Sequence, residues 1–482
     1  MKSWQGAFRG LIVFLLVIPI VVLVWHFQFA RVPHFGEIIW AIKNSFAQAL
    51  FSAVISLLLG VFIASGLLKS PRQIRPLLEI SCLLPNFLPA IFSILACMEF
   101  FDPFPMGTLG IILVHVVMNA GLVGVILASL IETKIGSQLE LCFVEAVPLF
   151  KILKQIVFPS LKKDLIMLLG FVFSVCFASF SIPLALGGGK GTTLEVLIFE
   201  KMRIAGDWGQ AVSLSLIQIL LISLLSIFIP KGNLTAAKQK YNTSSVGSYF
   251  GLTVLVGIFM IFFVGYISGI KTGIMQWAAL WEIRWAILEA FFGTIFIAFL
   301  TGVLTITLLY CIAVCIPHFQ FEKFLNAYTV PSTALTCFAF LMLGPNDGLF
   351  PYIKISIAQA ILFILALYKM GWNTEIISLQ GQIQSAHIMG AEFWQIFKKI
   401  ILPQTFKKAL QLGGIAGVWS CGDFAISRIL AYKNISLGMV TDSMLNGYHQ
   451  GPAVILSLLI LFSAGIVYYG FLGAGYVYRR KN

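Results

Sequence analysis

The run Gly187-Gly-Gly-Lys-Gly-Thr-Thr193 holds the residue types of a phosphate cradle. A nucleotide-binding loop of that kind needs Gly-x4-Gly-Lys followed at once by Ser or Thr, whose hydroxyl meets the magnesium ion. Here Gly191 follows the lysine, so the run predicts no ATP hydrolysis in this chain. Cys311, Cys315 and His318 are zinc-ligand types, but no second ligand-rich segment accompanies them. Small apolar residues on a helix explain them better. With no Ser/His/Asp set in view, the expectation is a non-enzyme without catalytic residues, metal or cofactor. What remains is a handful of polar groups in apolar surroundings. Asp423 stands beside Gly422 and Trp419, with Arg428 five residues on as a candidate counter-charge. Glu99 and Lys354 fall near the outer ends of apolar runs and Glu79 near an inner end. A charge within a bilayer is expensive and marks a pathway or a partner. Asp423, Trp419, Ser179 and Glu99 are therefore the candidate pathway residues. His115 and Asn119, four apart on one helix face, read as hydrogen-bonding glue between helices.

The elements that must position these groups follow from composition. Charged residues are 11% of the 482 and apolar residues 59%, whereas a soluble domain carries about 25% charged residues. Disorder, a disulfide scaffold and a soluble enzyme are excluded by those totals. Apolar runs predict an all-α membrane protein with about twelve spans, near 10–27, 41–68, 77–99, 108–131, 164–186, 209–229, 249–269, 285–315, 324–343, 350–369, 408–430 and 452–476. The start, with Lys2 and Arg9 ahead of Leu11–Val24, has no small-residue cleavage site and reads as a retained first helix. A net charge of +13 would suggest nucleic acid in a soluble protein. Here the Lys and Arg residues concentrate in alternate gaps, which predicts an inner-membrane protein with both termini cytoplasmic and no nucleic-acid partner. The two long cytoplasmic gaps are 132–163 and 370–407; Thr193–Arg203 is expected as a short amphipathic run outside the membrane.

The two long gaps resemble each other at an offset of 244. Glu140-Leu-Cys-Phe-Val-Glu-Ala146 aligns with Gln384-Ser-Ala-His-Ile-Met-Gly390, and Ile156-Val-Phe-Pro159 with Ile400-Ile-Leu-Pro403. A lysine pair follows each, Lys162-Lys163 and Lys407-Lys408. Outside the gaps, Trp40–Phe46 parallels Trp285–Phe291, Pro85 parallels Pro331, and Cys176–Phe180 parallels Ser420–Phe424, which makes Ser179 the counterpart of Asp423. A polar motif repeated at fixed spacing implies two homologous six-helix halves, 1–230 and 249–482, joined by a polar cytoplasmic linker at 231–248. Each gap is expected to carry an amphipathic coupling helix. Leu149, Phe150, Leu153 and Ile156 lie near one face of the first, and Phe393, Trp394, Phe397 and Ile400 near one face of the second. Pro159 and Pro403 are expected to stop these helices, and a repeated apolar face outside the membrane calls for paired grooves on a partner.

The spacing Gln384-Ser-Ala-x3-Gly-x9-Ile-x-Leu-Pro403 resembles the signature loop of permease subunits of binding-protein-dependent ABC importers. The first copy, Glu140 to Pro159, departs from it at Leu141, Cys142, Ala146 and Phe158. The resemblance implies a fused two-half permease that works by alternating access. Its partners would be two cytoplasmic ATPase subunits and an extracytoplasmic binding protein. It assigns ATPase coupling to Glu140, Ala146, Pro159, Gln384, Gly390, Glu392 and Pro403. Two stretches are similar to thiamine permeases: Cys176–Phe180 with Leu186–Gly189, Thr192, Thr193, Glu195 and Leu216–Gln218, and His115 with Asn119. Thiamine or its phosphates is the expected cargo, and ferric iron the alternative within the same architecture. A secondary carrier of the major facilitator type should show Gly-x3-Asp-[Arg/Lys]-x-Gly-[Arg/Lys] after its second span; Lys69-Ser-Pro-Arg-Gln-Ile-Arg75 is not that.

Overall fold

A computed structural model describes residues 17–19, 21–27, 31, 33–71, 73–228, 248–315 and 333–481. Every regular element among them is helical: α1 Phe35–Lys69, α2 Arg75–Phe87, α3 Ala90–Phe100, α4 Thr108–Leu130, α5 Gly136–Val144, α6 Leu149–Ile152, α7 Phe158–Phe177, α8 Ser181–Leu186, α9 Leu194–Phe199 and α10 Trp208–Phe228. Then follow α11 Tyr249–Met275, α12 Trp277–Glu282, α13 Arg284–Cys315, α14 Thr333–Met342, α15 Phe350–Leu367, α16 Asn373–Ile388, α17 Phe393–Ile396, α18 Leu402–Cys421, α19 Ala425–Leu430, α20 Leu437–Asn446 and α21 Gln450–Lys481. Five helices are long and apolar enough to cross a membrane, and α2 with α3 makes a sixth candidate broken by a 99° bend. In hydrocarbon every backbone N–H and C=O must be paired within its own segment, which is why such apolar runs fold as helices. The predicted linker, much of the first span and the start of the ninth lie outside the described residues.

Sequence dictates where the spans break. Leu88 precedes Pro89, adopts an extended backbone (φ −78°, ψ 149°) and ends α2; the ring of a following proline disfavours the helical conformation. The eleventh span, expected as one helix over 408–430, is broken after Cys421 and resumes at Ala425. Asp423 therefore lies in a break, where backbone N–H groups are free to meet a side chain. The fifth span breaks the same way, between Phe177 and Ser181. The run expected as amphipathic outside the membrane is instead α9, with all of Leu194, Glu195, Val196, Leu197, Ile198 and Phe199 buried. A helix buried on every side, Glu195 included, has no face for water and is enclosed by its neighbours.

Packing joins early and late elements. The buried face of α1 is built from small residues at helical spacing, including Ala41, Ser45, Ala49, Ser52, Ala53, Ser56 and Gly60, and α4 lies along it. Small side chains let helix backbones approach closely, which supplies packing where lipid removes the hydrophobic drive. In the later part α13 packs on α15 and α18. One hydrophobic core combines Phe180, Val196 and Phe199 with Ile297, Cys337, Ile426 and Met439, so no apolar boundary separates the two parts. A Cβ on Gly422 would collide with the ring of Pro89, so the break beside Asp423 closes directly on the bend of α2–α3. The outward faces of α1, α11 and α13 expose Leu58, Phe62, Phe263, Phe292 and Phe299, the surface that acyl chains cover.

Candidate functional site

The two long loops match bond for bond. Val147 N–H donates to Cys142 O at 3.0 Å and Ala391 N–H to Ala386 O at 3.0 Å, one offset of 244 apart. Glu145 N–H to Leu141 O (3.1 Å) repeats as Met389 N–H to Ser385 O (3.0 Å), and Ile152 N–H to Pro148 O (3.1 Å) as Ile396 N–H to Glu392 O (3.0 Å). Between these bonds the chain turns through a left-handed residue, Ala146 (φ 53°) in the first loop and Gly390 (φ 77°) in the second. Glycine reaches that region freely, whereas a side chain costs about 1–2 kcal/mol there. The first loop keeps the turn despite lacking the glycine.

After the turn each loop runs through a short helix (α6, α17) and one wide π-type turn, Leu153–Val157 and Phe397–Ile401, into α7 and α18. Pro159 and Pro403 do not stop the coupling helices as expected. They are at the start of α7 and α18, directly after the wide turn, and the helical path continues through them. The wide turn before each proline gives room for the ring, which would clash with the carbonyl four residues back in a regular helix. The inward anchors also differ from the expected faces: Ile152 and its counterpart Ile396 are buried, with Ile401 beside the latter. Phe397 is half-buried, edge-on to Tyr310 and Trp394 at 5.7 and 6.0 Å. The side chains of Leu149, Phe150, Leu153 and Phe393 lie outside the described ones.

What the loops offer to a partner is at their tips. Val144 (85% exposed) and its counterpart Ile388 (88%) end α5 and α16, and Met389 and Trp394 are exposed near the latter. Gln384 and Glu392 are exposed and Glu140 is half-buried. Glu392 N–H donates to Gln395 Oε1 at 3.1 Å, which closes the first turn of α17. Ion pairs brace the first loop's base: Arg75 Nη2 donates to Glu132 Oε2 at 2.9 Å, and Lys134 Nζ to Asp164 Oδ1 at 2.7 Å.

Within the bundle, Asp423 anchors a network that ties three helices. Its Oδ2 accepts from Gln359 Nε2 of α15 at 3.0 Å, and its Oδ1 from the backbone N–H groups of Ala425 and Ile426 at 3.2 and 3.4 Å. Gln359 Oε1 accepts in turn from Ser420 Oγ at 2.6 Å and Thr301 Oγ1 of α13 at 3.0 Å. Arg428 does not neutralise Asp423. It turns to Asp442, 3.5 Å away, because five residues on and across a helix break is the wrong side of the element. Trp419, one turn before Asp423, packs edge-on to Phe363 at 5.5 Å, and its buried Nε1 has no partner among the described residues. Ser179 stands half-buried at the matching break after α7, and Glu99 at the end of α3 bonds to Ser268 of α11, outside this network. Lys354 is tied to Gly344 O and Asn346 Oδ1 at 3.0 and 2.7 Å.

His115 and Asn119 divide. Asn119 Nδ2 donates to His115 O at 2.8 Å in its own helix and meets Cys176 Sγ of α7 at 3.6 Å, whereas both ring nitrogens of His115 are buried without a partner among the described residues. Cys315's side chain and His318 lie outside the described ones, and among the described residues no three of His, Cys, Asp and Glu stand together as metal ligands. Sequence reasoning missed Gln359 and Thr301 and assigned no role to Glu195 or Gln218. Gln218 Nε2 donates to buried Glu195 Oε1 at 2.6 Å. The available signal was a Gln in the middle of each of two apolar runs. An apolar groove at the α2–α3 bend, lined by Leu84, Phe92, Phe262 and Leu458, carries none of this chemistry.

Compared with known proteins, the chain is similar to thiamine transport system permease proteins. It is 28% identical to ThiP of Salmonella typhimurium over 196 residues, 37% of each chain, and 28% identical to ThiP of Escherichia coli over 198 residues, again 37% of each. With ThiP of Haemophilus influenzae it shares 25% over 248 residues, 45% of each chain. The chain thus spans less than half the length of these curated relatives in the matched stretch. No family model and no solved structure matches it.

Proposed function

We propose that this chain is the membrane permease of a binding-protein-dependent ABC importer that carries thiamine or its phosphates into the cytoplasm. One observation carries the permease reading. Two loops, 244 residues apart, repeat the same backbone bonds around a left-handed residue and present an exposed apolar tip, Val144 and Ile388. Such tips need a partner's grooves, and two equivalent tips call for two equivalent partners. The thiamine part rests on the likeness to the thiamine transport permeases.

In this reading the halves are 1–230 and 249–482, six spans each, linked by 231–248, in a bacterial inner membrane with both termini cytoplasmic. Further support for two halves comes from the outer helices. Ser45 Oγ accepts from Leu194 N–H at the start of α9, and Thr294 Oγ1 from Leu437 N–H at the start of α20, both at 2.8 Å. Two ATPase subunits close on ATP and move the loop tips. Buried Ile152 and Ile396 transmit that motion to α7 and α18, which continue from the loops and end at the breaks holding Ser179 and Asp423. A binding protein delivers cargo at the outer face, and the breaks part to pass it.

The test is uptake of labelled thiamine and labelled iron in a strain lacking the gene. Thiamine uptake is expected to disappear and return on complementation. Loss of iron uptake with thiamine uptake intact would overturn the cargo and leave the permease standing. Intact uptake of both, together with failure to co-purify an ATPase, would overturn the permease reading.

A further inference from the structure

Buried Glu195 and half-buried Asp423 belong to segments that pack on the same third helix. Glu195 opens α9 of the first half, and Asp423 lies in the α18–α19 break of the second. That third helix is α14, which packs on both α9 and α19. Its Cys337 is fully buried, and the charges of Asp423 and Glu195 both act on that thiol.

The two acids are held alike. Each accepts from the amide of a buried glutamine on a neighbouring span, Gln218 Nε2 for Glu195 at 2.6 Å and Gln359 Nε2 for Asp423 at 3.0 Å. The second glutamine is complete, because its Oε1 accepts from Ser420 and Thr301. The first is not. Gln218 Oε1 is buried with no partner among the described residues, and so is Thr193 Oγ1, two residues before Glu195. A buried acceptor left without a donor carries a desolvation penalty of about 1–3 kcal/mol, so such atoms mark a position where a donor arrives. Two carboxylates and a spare amide oxygen are acceptors throughout, the complement of a cation rather than of an anion or a neutral solute.

We propose that Glu195 and Asp423 form a paired acidic site for an organic cation at the seam between the halves, with Gln218 Oε1 as a neutral acceptor beside it. The site rests on the permease reading and deepens it by naming the chemical class of the cargo as cationic. In the structure both acids neighbour α14. When the halves part, Cys337 and both carboxylates face the route, so a cationic group is held there in preference to an anionic one.

Cys337 itself is the reporter. The full chain, in membranes with its ATPase and binding protein, is treated during ATP turnover with methanethiosulfonates bearing trimethylammonium, sulfonate or no charge, and modification of Cys337 is read by peptide mass spectrometry. The cationic reagent is expected to react faster than the anionic one, with the ratio falling by about tenfold in Glu195→Gln and again in Asp423→Asn. Each rate is referred to that of the uncharged reagent in the same protein, which separates lost charge from lost opening or lost fold. A ratio unchanged by either substitution, or a Cys337 that no reagent reaches during turnover, overturns the paired site. Failure of the thiamine reading looks different. Uptake of thiamine would then be indifferent to deletion of the gene while the charge preference at Cys337 persists.

Discussion

Ala146 and Gly390 occupy equivalent left-handed turns, and the chemistry of the backbone separates them. An added Cβ at Gly390 meets nothing within 4 Å, so a side chain there strains the backbone without causing a clash. Gly390→Val should therefore destabilise the turn by about 1–2 kcal/mol and uncouple transport while the protein still inserts, whereas Gly390→Asn, a residue that tolerates this region, should keep most of its uptake. Wild-type uptake by the valine variant with normal ATPase co-purification would sink the argument. The converse change, Ala146→Gly, should leave uptake intact and relieve up to about 1 kcal/mol of strain, seen as a higher unfolding temperature in detergent. At Asp423 the substitution to Asn keeps size and removes charge. Because Gln359, Ala425 and Ile426 all donate to this side chain, the amide must leave one of these donors unpaired or face N–H against N–H. Uptake is expected to fall about tenfold or more at unchanged expression, since a buried group left unpaired costs about 1–3 kcal/mol. Unchanged uptake would make Asp423 a bystander.

At the scale of elements, the two repeated loops differ sharply between what they expose and what they bury. Ile396 and Ile401 anchor the second loop in the core, while Ile388 at the end of α16 is 88% exposed. Burying an isoleucine side chain against a partner contributes about 1.5–3 kcal/mol. Ile388→Asp should thus weaken association with the ATPase by at least about tenfold, and adding Val144→Asp should weaken it further, as read by co-purification or titration. Binding unaffected by the double change would place the ATPase elsewhere. The same substitutions leave the transmembrane network untouched, so protein level and insertion should stay normal.

For the whole molecule the expectation is a fixed orientation. The loops carry Lys151, Lys154, Lys398 and Lys399 on exposed surface, and a bias of Lys and Arg toward one side sets topology. Single cysteines at Gln155 and Lys399 should escape a membrane-impermeant thiol reagent applied to intact cells and react after permeabilisation. Labelling of both in intact cells would invert the orientation. The seam adds a second whole-molecule feature. Arg203 Nη2, beyond α9, donates to Ala431 O after α19 at 2.8 Å and its guanidinium lies 4.0 Å from the Tyr432 ring centre, a contact between early and late segments that opening would have to release.

The sequence by itself determined the class of the molecule, because twenty-residue apolar runs leave the chain only helices to satisfy its backbone in lipid. It also determined the repeated loops, because a polar motif at a fixed offset is legible without coordinates, and the matching bonds around Ala146 and Gly390 follow that offset. Only the tertiary structure decided where the spans break, that Pro159 and Pro403 begin helices, and that Arg428 serves Asp442. Those outcomes depend on which neighbour supplies a donor, a cavity or a ring contact, and hydrophobic periodicity carries none of that. Gln359 and Gln218 are the clearest case. Each is a polar residue in a mainly apolar run, and its role appears only when a carboxylate from another element lies within hydrogen-bond reach.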